Sequence, residues 1–398
     1  MMSGTMMKIS TTSRTTIADT RGCLLMIGRR KGAIAAARRS GWEPVVVDVP
    51  ARDEQASGAF GGSADWALEK VSEIPLDSAP LAVAAVATGS VVAAAAVRER
   101  LGLPGISSET ARRCHDKLAM KRAIATAGIT CAPWRETSTS TSAKQLITDL
   151  GLPLVLKMPI SSGGRGIWIC NSAAEVGARL RPGLLAEGFI EGTEMSLESF
   201  RAGGVTLFRN PTQYLKPRWA NIVPAVLTNT ESKQITEMAE KVHDALGITS
   251  GISHMELFLT PQGPVFGEIA ARPPGGYIMD LIRRAYGFDP WSAMLQIAAG
   301  QLPRFPEQAQ KFAGVWLLHP GEGRVSALDG LQKARGIPDI VDITCKVQPG
   351  QLISTRAGSG DSKGMIIAEA TSSEACAKAL RQAAGTVQFK LKENIVQC

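Results

Sequence analysis

The sequence predicts an α/β fold that begins with a doubly wound domain. Two short apolar runs, Cys23–Ile27 and Val45–Val49, flank a helix-compatible stretch at Gly32–Ser40. A strand, a helix and a strand at this spacing form a βαβ unit, whose two strands are parallel. A third strand is expected at Leu81–Ala87 and a helix at Val91–Leu101. Forty glycines beside only 5% aromatic residues also favour an α/β enzyme with many tight loops.

Composition and charge narrow the class of protein. Hydrophobic residues make up 44% of the chain and charged residues 20%, which is typical of a globular protein with a sizeable core. The net charge is +8, but the basic clusters are not interleaved with aromatic residues, so anionic small molecules are favoured over nucleic acid. Seven scattered cysteines without a CxxC motif argue against a disulfide framework or a zinc site and suit the cytoplasm. The apolar stretch Leu81–Val97 is too short for a membrane span.

The middle of the chain is predicted to combine a helix with a glycine-tipped hairpin. Ala111–Ala127 has the spacing of one amphipathic helix and is followed by a glycine. Leu154–Met158 and Ile167–Cys170 are predicted strands on either side of the turn Ser161–Gly166. Glycines let backbone N–H groups approach phosphate oxygens, and Lys157 on the first strand adds a positive charge. A plain hairpin with a glycine turn is the alternative interpretation.

Two glutamates on neighbouring predicted strands indicate a divalent metal. Glu256 lies in Ser253–Leu259 and Glu268 in Val265–Ile269, and a short turn joins the two strands. Like-charged carboxylates among apolar neighbours are unfavourable unless a cation neutralises them. Mg²⁺ commonly takes one or two carboxylates and completes its coordination with substrate phosphates. The pair therefore predicts a magnesium site, with two solvent-facing strand residues as the alternative.

An arginine follows the second glutamate. Arg272 lies four residues beyond Glu268 and precedes Pro273-Pro274-Gly275-Gly276. A guanidinium beside a glycine turn suits a phosphoryl group or a tetrahedral oxyanion, although it also suits an ordinary surface position. The joint occurrence of Lys117, the glycine turn, the acidic segment from Glu187, the two glutamates and Arg272 in this order is harder to dismiss than any one feature.

These features together resemble the ATP-grasp superfamily in its carboxylate–amine ligase branch, and are most similar to the L-amino-acid ligases that make dipeptides. The matching stretches are DKLAMKRAIATAGI, LPLVLKMPISSGGRGIWI, AEGFIEGTEMSLESF, GISHMELFLTPQGPVFGEIAARPPGG and, more loosely, GEGRVSALDG. The resemblance extends over about residues 20–398. Its motifs are specific to the superfamily and only suggestive of the amino-acid ligase group.

The resemblance implies a nucleotide site on named residues. Lys117 and Lys157 would hold the ATP phosphates, and Glu187 would lie near the adenine amino group. Glu194 would bind the ribose hydroxyls. The remaining nucleotide contacts would come from a flexible loop over the phosphates and from a hinge that reads the adenine edge: Ser161, Ser162, Gly163, Gly164 and Gly166 in the loop, and Phe189 and Ile190 in the Gly188–Ile190 hinge.

The resemblance also implies the metal and substrate residues. Glu256 and Glu268 would bind Mg²⁺, with Mn²⁺ as an alternative metal. Arg272 and Lys157 would be catalytic, and Arg272 would steady an acyl phosphate. The substrate contacts implied are His254, Arg272, Gly275 and Gly276, and the segments Lys216–Trp219 and Tyr277–Met279 are expected to shape the pocket. The chain departs from many relatives at Ala270, where an asparagine is usual, so the number of metal ions is left open.

The fold implied is an N-terminal doubly wound α/β domain, a central ATP-grasp core with a mobile lid, and a small α+β C-terminal domain. The corresponding residues are 21–110, 111–310 with the lid at about 125–186, and 311–398. Residues 1–20 are rich in Ser, Thr and Met and are expected to be a disordered leader, or the result of a start codon assigned too early. The late stretch Glu374–Ala384 is predicted to be a helix.

The function implied is ATP-dependent ligation of a carboxylate to an amine through an acyl phosphate, with release of ADP and phosphate. An amino-acid-type substrate is expected. An ATP-grasp carboxylase or a formate-dependent transferase is the first alternative, and a nucleotide-binding regulatory protein without turnover is the second. A nucleic-acid-binding module is supported only by the net charge. The expected partners are small molecules, with neither nucleic acid nor membrane, and a homodimer is allowed for.

Overall fold

The computed structural model describes residues 22–49, 63–74, 80–356 and 358–392. The leader predicted at residues 1–20 lies outside them. The N-terminal part alternates strands and helices: β1 (Gly22–Ile27), α1 (Lys31–Arg39), β2 (Trp42–Val47), α2 (Ala64–Glu73), β3 (Ala82–Ala85) and α3 (Val91–Leu101). Helix α2 was not predicted, and the other elements follow the predicted order. The strands form a parallel sheet in the order β2-β1-β3, which confirms the predicted βαβ unit.

Burial on both faces explains the apolar run of β1. Leu24 and Met26 pack on one face with α1, whereas Leu25 and Ile27 pack on the other with α2 and α3. All four side chains are fully buried. A parallel strand covered by helices on both faces is apolar at successive positions rather than at alternate ones. The domain is therefore doubly wound, as predicted.

The single helix predicted at Ala111–Ala127 is wrong. The chain forms two helices, α4 (Ser108–His115) and α5 (Lys117–Thr126), separated at Asp116. The Asp116 backbone is extended, and its carboxylate accepts hydrogen bonds from the N–H groups of Leu118 and Ala119. This is the geometry of an N-cap, which starts a new helix. The break places Lys117 in the first turn of α5, where its side chain reaches the site.

The predicted glycine-tipped hairpin is confirmed and belongs to a four-stranded sheet. The elements of this region are β4 (Trp134–Glu136), α6 (Ala143–Leu150), β5 (Leu154–Lys157), β6 (Ile167–Cys170), α7 (Ala173–Arg179) and β7 (Leu185–Gly188). The strand order is β4-β7-β5-β6, with β5 antiparallel to both neighbours. The glycine-rich turn joins β5 to β6 at the end of this sheet.

A long antiparallel sheet forms the centre of the protein. Its central elements are β8 (Thr193–Ala202), β9 (Val205–Lys216), β10 (Ala220–Val223), α8 (Asn229–Leu246), β11 (Gly251–Thr260), β12 (Gly263–Ala270), α9 (Ile278–Tyr286) and α10 (Pro290–Ala298). Helix α8 was not predicted, although Thr228 and Glu231 form a capping box at its start. The predicted pairing of the two glutamate-bearing strands is confirmed as β11 and β12.

The C-terminal part adds strands to the same sheet. Its elements are β13 (Phe312–Leu318), β14 (Gly323–Asp329), α11 (Leu331–Arg335), β15 (Ile340–Cys345), β16 (Leu352–Ile353), β17 (Gly364–Ala370), α12 (Ser373–Thr386) and β18 (Gln388–Lys392). The central sheet runs β12-β11-β8-β9-β10-β13-β17-β15, and β16, β14 and β18 form a small separate sheet. The predicted late helix is confirmed as α12. The C-terminal part is thus joined to the core by continuous strand pairing.

The sequence predicted neither a membrane span nor a disulfide framework. Among the described residues, no helix is both long enough and apolar enough to cross a membrane. Six cysteines fall within the described residues, and all six are free thiols.

A buried polar cluster fixes α8 on the central sheet. The Arg201 guanidinium, 2% exposed, forms an ion pair with Glu240 at 2.6 Å and contacts the Nδ1 of His243 at 2.9 Å. Because the guanidinium only donates, Nδ1 accepts, and the Nε2 of His243 donates to Ser253 Oγ at 2.8 Å. Burial and the neighbouring Arg201 lower the pKa of His243 to about 3. The imidazole is therefore neutral in the folded protein.

The neutral state of His243 makes stability depend on pH. Its folded pKa lies below the unfolded value of 6.5, so the unfolded chain binds the extra proton first. The free energy of unfolding should fall as pH decreases, by about 1.5 kcal/mol between pH 6.5 and pH 5. His243→Gln should remove this part of the pH dependence. Urea unfolding at several pH values checks it, and equal slopes for both proteins would contradict the assignment.

Candidate active site

The two predicted metal glutamates lie directly opposite each other. Glu256 on β11 pairs in register with Glu268 on β12, and both side chains line one cavity. Each side chain is 32% exposed, so solvent and ligands reach both. Burial disfavours the ionised form of Glu256, but His254, Arg272 and Lys157 outweigh it and hold the pKa of Glu256 below its usual value. An ionised carboxylate is the form that binds a cation.

This donor set suits Mg²⁺ bound partly by a substrate. No group of three or more His, Cys, Asp or Glu side chains in the described part of the chain is arranged to hold a metal alone. Mg²⁺ usually keeps several waters and takes one or two carboxylates together with phosphate oxygens. Ala270 also lines the cavity and offers no side-chain oxygen there. Glu256 and Glu268 would therefore hold the ion from one side and leave the other side to phosphates.

A lysine and the glycine-rich turn border the glutamates. The buried Nζ of Lys117 lies 3.5 Å from Glu268 Oε2 and 3.3 Å from Ser161 Oγ. The Lys117 N–H donates to the carbonyl of Pro159, which ties the start of α5 to the turn. The loop residues that line the cavity with Lys117 are Ser161, Ser162, Gly163 and Gly164. Positive charge and exposed backbone thus meet beside the carboxylates, as a phosphate site requires.

Glu187 is buried between two lysines. Its carboxylate is 2.7 Å from Lys121 Nζ and 2.5 Å from Lys157 Nζ. Burial acts against the ionised form, but Lys157 and Lys121 lower the pKa of Glu187 overall. The same contact, with help from Glu268, raises the pKa of Lys157 against the effect of burial. In this conformation Glu187 neutralises lysines. Its predicted contact with adenine is not tested by this arrangement and stays a prediction.

His254 contacts Glu256, one of the two predicted metal ligands. Its Nδ1 is 2.8 Å from Glu198 Oε1, and its Nε2 is 3.4 Å from Glu256 Oε1. Glu198 is fully buried and also accepts hydrogen bonds from three neutral side chains, those of Ser196, Asn210 and Thr212. Burial opposes protonation of His254, but these two carboxylates raise its pKa to about 9. His254 lines the cavity with both ring nitrogens facing carboxylates, and its predicted role in substrate binding stays a prediction.

Arg272 joins the site to the N-terminal domain. Its Nε donates to Thr88 Oγ1 at 2.8 Å, and its Nη1 donates to the Pro273 carbonyl at 2.8 Å. Thr88 follows β3 and also lines the cavity. The next turn is tight: Gly276 has a φ of +59°, and a Cβ there would lie 2.8 Å from Asn221 Nδ2. The structure therefore places Arg272, Gly275 and Gly276 together beside the two glutamates.

Glu194 lies on the same cavity wall. Burial and the nearby Glu256 raise its pKa to about 7, with Lys157 and Arg218 acting in the opposite direction. It lines the cavity together with the glycine-rich turn, and its predicted contact with the ribose stays a prediction.

Five predicted nucleotide residues are not on the cavity wall, and one of them is also a predicted catalytic residue. They are Lys157, Gly166, Glu187, Phe189 and Ile190. Lys157 and Glu187 form the ion pair described above. Gly166 ends the glycine turn, where its carbonyl accepts from the Met158 N–H. The hinge residue Phe189 is 44% exposed. The adenine assignments of Phe189 and Ile190 stay predictions.

Several residues of the site were not predicted from the sequence. Lys121 is four residues after Lys117, so helical spacing predicts that both lie on one face. Glu198 follows Glu194 at the two-residue period of a strand, which also predicts a shared face. No sequence pattern indicated a role for Thr88 beyond its position after a strand. From the expected pocket segments, Arg218 and Ile278 reach the cavity.

The lysine–glutamate–lysine triad generates a stability prediction. Glu187→Gln would leave Lys121 and Lys157 without their shared counter-charge, and breaking a buried pair costs about 3–5 kcal/mol. Guanidinium unfolding should detect the loss. Adding Lys121→Met should restore part of it, because one uncompensated charge is removed. A loss under about 1 kcal/mol for Glu187→Gln would contradict the proposed charge balance.

Comparison with known proteins identifies two domains. Residues 122–279 match the ATP-grasp domain, and residues 315–392 match the L-amino acid ligase C-terminal domain 2. Enzymes with an ATP-grasp domain use ATP and Mg²⁺, which confirms the predicted cofactors.

Individual relatives agree with this assignment at low identity. The chain is 24% identical over 306 residues to the uncharacterized protein y4rH of Sinorhizobium fredii, covering 73% of this chain and 64% of the relative, slightly under two thirds of its length. It is 23% identical over 290 residues to the L-arginine-specific L-amino acid ligase of Bacillus subtilis, covering 68% of this chain and 70% of the relative. Shorter matches include formate-dependent phosphoribosylglycinamide formyltransferases, such as that of Synechocystis, 31% identical over 39% of this chain and 43% of the relative.

A solved structure supports the fold. The L-amino acid ligase of Bacillus licheniformis superposes with a TM-score of 0.75 at 21% identity, covering 94% of this chain and 99% of that one. The likeness confirms the predicted fold class of an ATP-grasp protein with a small C-terminal domain. The chain contains an ATP-grasp domain and the C-terminal domain of the L-amino acid ligases.

Proposed function

We propose that this ATP-grasp ligase joins a carboxylate to an amine through an acyl phosphate. ATP would supply the phosphoryl group, and the products would be an amide or peptide, ADP and inorganic phosphate. An amino acid is the proposed carboxylate substrate. The match to the L-amino acid ligase C-terminal domain supports this choice over the other branches of the superfamily.

One observation carries the proposal. Glu256 and Glu268 face each other in a cavity that also contains Lys117 and Arg272. Carboxylates for a metal and a lysine for phosphates suit any phosphoryl transfer. Arg272 adds a guanidinium that is held by a hydrogen bond to Thr88. A nucleotide-binding regulatory protein has no need of that arginine.

The proposed reaction has two chemical steps, transfer of the phosphoryl group and attack by the amine. Lys117 and the backbone of Ser161–Gly164 would orient the transferred phosphoryl group. Mg²⁺, when bound at Glu256 and Glu268, supplies positive charge that offsets the negative charge of the phosphates. The substrate carboxylate oxygen attacks the terminal phosphorus, and the bond from that phosphorus to the ADP oxygen breaks. The amine nitrogen then attacks the carbonyl carbon, loses a proton, and phosphate leaves.

Arg272 would serve the second step most directly. The carbonyl oxygen becomes negative when the amine attacks, and a preorganised donor stabilises that charge. Its hydrogen bonds to Thr88 and Pro273 fix the guanidinium, so little reorganisation is needed. The glycine-rich turn would cover the acyl phosphate and keep water from hydrolysing it.

The alternative within enzymes is a carboxylase or a formate-dependent transferase. The shorter matches to formyltransferases keep it open, because those enzymes share the ATP-grasp features. A strict requirement for bicarbonate or formate would favour it. A homodimer and a cytoplasmic location remain proposals, the latter consistent with free thiols throughout the described residues.

The metal assignment predicts a large loss of turnover. Glu268→Gln keeps the shape of the side chain and removes its charge, so ADP formation should fall at least about a hundredfold. Glu191→Gln in the exposed turn before β8 is the matched control and should behave as wild type. Coupled ADP release checks both. Near-normal turnover of Glu268→Gln would exclude Glu268 as the metal ligand.

The reaction type predicts a set of products. Incubation with Mg-ATP and a panel of amino and hydroxy acids, singly and in pairs, should give ADP and inorganic phosphate in equal amounts. Hydroxylamine should trap the activated acid as a hydroxamate when the amine is omitted, because it attacks an acyl phosphate directly.

Other product sets would assign the protein elsewhere. AMP with pyrophosphate would indicate an adenylating enzyme. A stable phosphorylated product without free phosphate would indicate a kinase.

Arg272→Lys keeps the charge and loses the planar fork, so formation of the amide with the amine should be slowed more than formation of the hydroxamate.

A further inference from the structure

Arg218 stands at the tip of the hairpin between β9 and β10 and lines the active-site cavity. Its backbone has a φ of +67°, in the left-handed region that residues other than glycine seldom adopt. Such a conformation costs free energy and persists where the surrounding structure imposes it. The tip is therefore held in a shape that directs the side chain of Arg218 into the cavity.

The Arg218 side chain touches the glycine-rich turn. A Cβ built on Gly164 would lie 2.8 Å from Arg218 Nε and 2.9 Å from Cζ, so the guanidinium packs directly on the Gly164 backbone. Gly164 itself has a φ of +76° and lines the same cavity. A side chain at this position would displace the arginine. Glycine thus allows the guanidinium to lie against the loop that borders the phosphate site.

The C-terminal part of the chain braces the hairpin tip. The guanidinium of Arg356 lies 4.0 Å from the ring centroid of Trp219, and its Nη2 donates to the Arg218 carbonyl at 2.6 Å. Leu317 on β13 donates from its N–H to the Trp219 carbonyl at 2.8 Å. On the other side of the loop, a Cβ on Gly358 would lie 2.9 Å from the Gly163 carbonyl oxygen. The C-terminal part therefore fixes both the tip and the loop.

We propose that Arg218 is a phosphate-binding residue that contacts the terminal phosphate of the nucleotide, and that Arg356 positions it. This inference rests on the proposed function for the identity of the ligand. The C-terminal part would thus have a role in nucleotide binding, because Arg356 holds the hairpin tip. The positive charge would come from Arg218 at this tip rather than from the lysines.

The surroundings of Arg218 favour a phosphate over the substrate carboxylate. Arg218 contacts Gly164 and is close enough to Glu194 to oppose the rise in the pKa of Glu194 that burial and Glu256 cause. In the proposed function, both neighbours would contact the nucleotide. Arg272, tied to Thr88, lies on the side of the N-terminal domain. A guanidinium binds phosphate through two parallel hydrogen bonds, which suits an arginine here.

Nucleotide binding without turnover tests the proposal. Arg218→Asn removes the guanidinium, and asparagine tolerates the left-handed backbone, so the turn is retained. Equilibrium dialysis with ATP, ADP and AMP should show ATP binding weakened about tenfold or more and AMP binding unchanged. Lys333→Gln is the matched control, since it removes a positive charge from an exposed position on α11 in the C-terminal part, outside the cavity wall.

Arg356→Gln tests the positioning role. It should weaken ATP binding less than Arg218→Asn does, and the double variant should bind ATP no more weakly than Arg218→Asn alone. Additive losses would remove Arg356 from the proposal.

Three further outcomes would overturn the inference. ATP binding unchanged in Arg218→Asn, with a raised KM for the carboxylate substrate, would assign the arginine to that substrate. Equal weakening of ATP and AMP would indicate a structural role for the tip. A wild-type protein that binds no ATP would exclude the proposed function together with this inference, whereas ATP binding without ligation would exclude only the function.

Discussion

Two like-charged carboxylates face each other across one antiparallel strand pair, and the other charged groups of the site offset the repulsion between them. Glu256 and Glu268 are held opposite each other by the register of β11 and β12. Cationic side chains approach the pair from separate elements: Lys117 from α5, His254 from β11 and Arg272 from the turn after β12. Charges brought together in this way are stable only when they balance, so the strands, the helix and the turn are constrained jointly.

Much of the fold was predictable because its signals are local. Apolar runs in the parallel sheet, the glycine-tipped hairpin and the paired glutamate strands all appear in the sequence as short patterns. The break at Asp116 was not predicted, because the apolar spacing of α4 continues into α5 and only the cap of the second helix separates them. The joining of β13 to β10 was not predictable either, since pairing between strands distant in sequence leaves no periodic signal.

Site residues were predictable where the chemistry depends on a single side chain. They were not predictable where a residue's role depends on the side chain that it contacts. Glu256, Glu268 and Arg272 stand out as charged residues in apolar or glycine-rich surroundings. By contrast, the roles of Glu198 and Lys121 depend on which side chains they meet: Glu198 on His254, and Lys121 on Glu187. Such contacts arise from register and helix placement, so a single sequence indicates at most that the residues share a face.

The continuous eight-stranded sheet limits how this protein can be divided or recombined. A cut near residue 310 would separate β13 from β10 and leave the backbone donors and acceptors of β10 as an open edge. Open edges of this kind are prone to pair with other chains and to aggregate. A chimera with a relative would also have to preserve both halves of the β10–β13 ladder. In evolution and in engineering, the catalytic half and the C-terminal half are therefore expected to change as one unit.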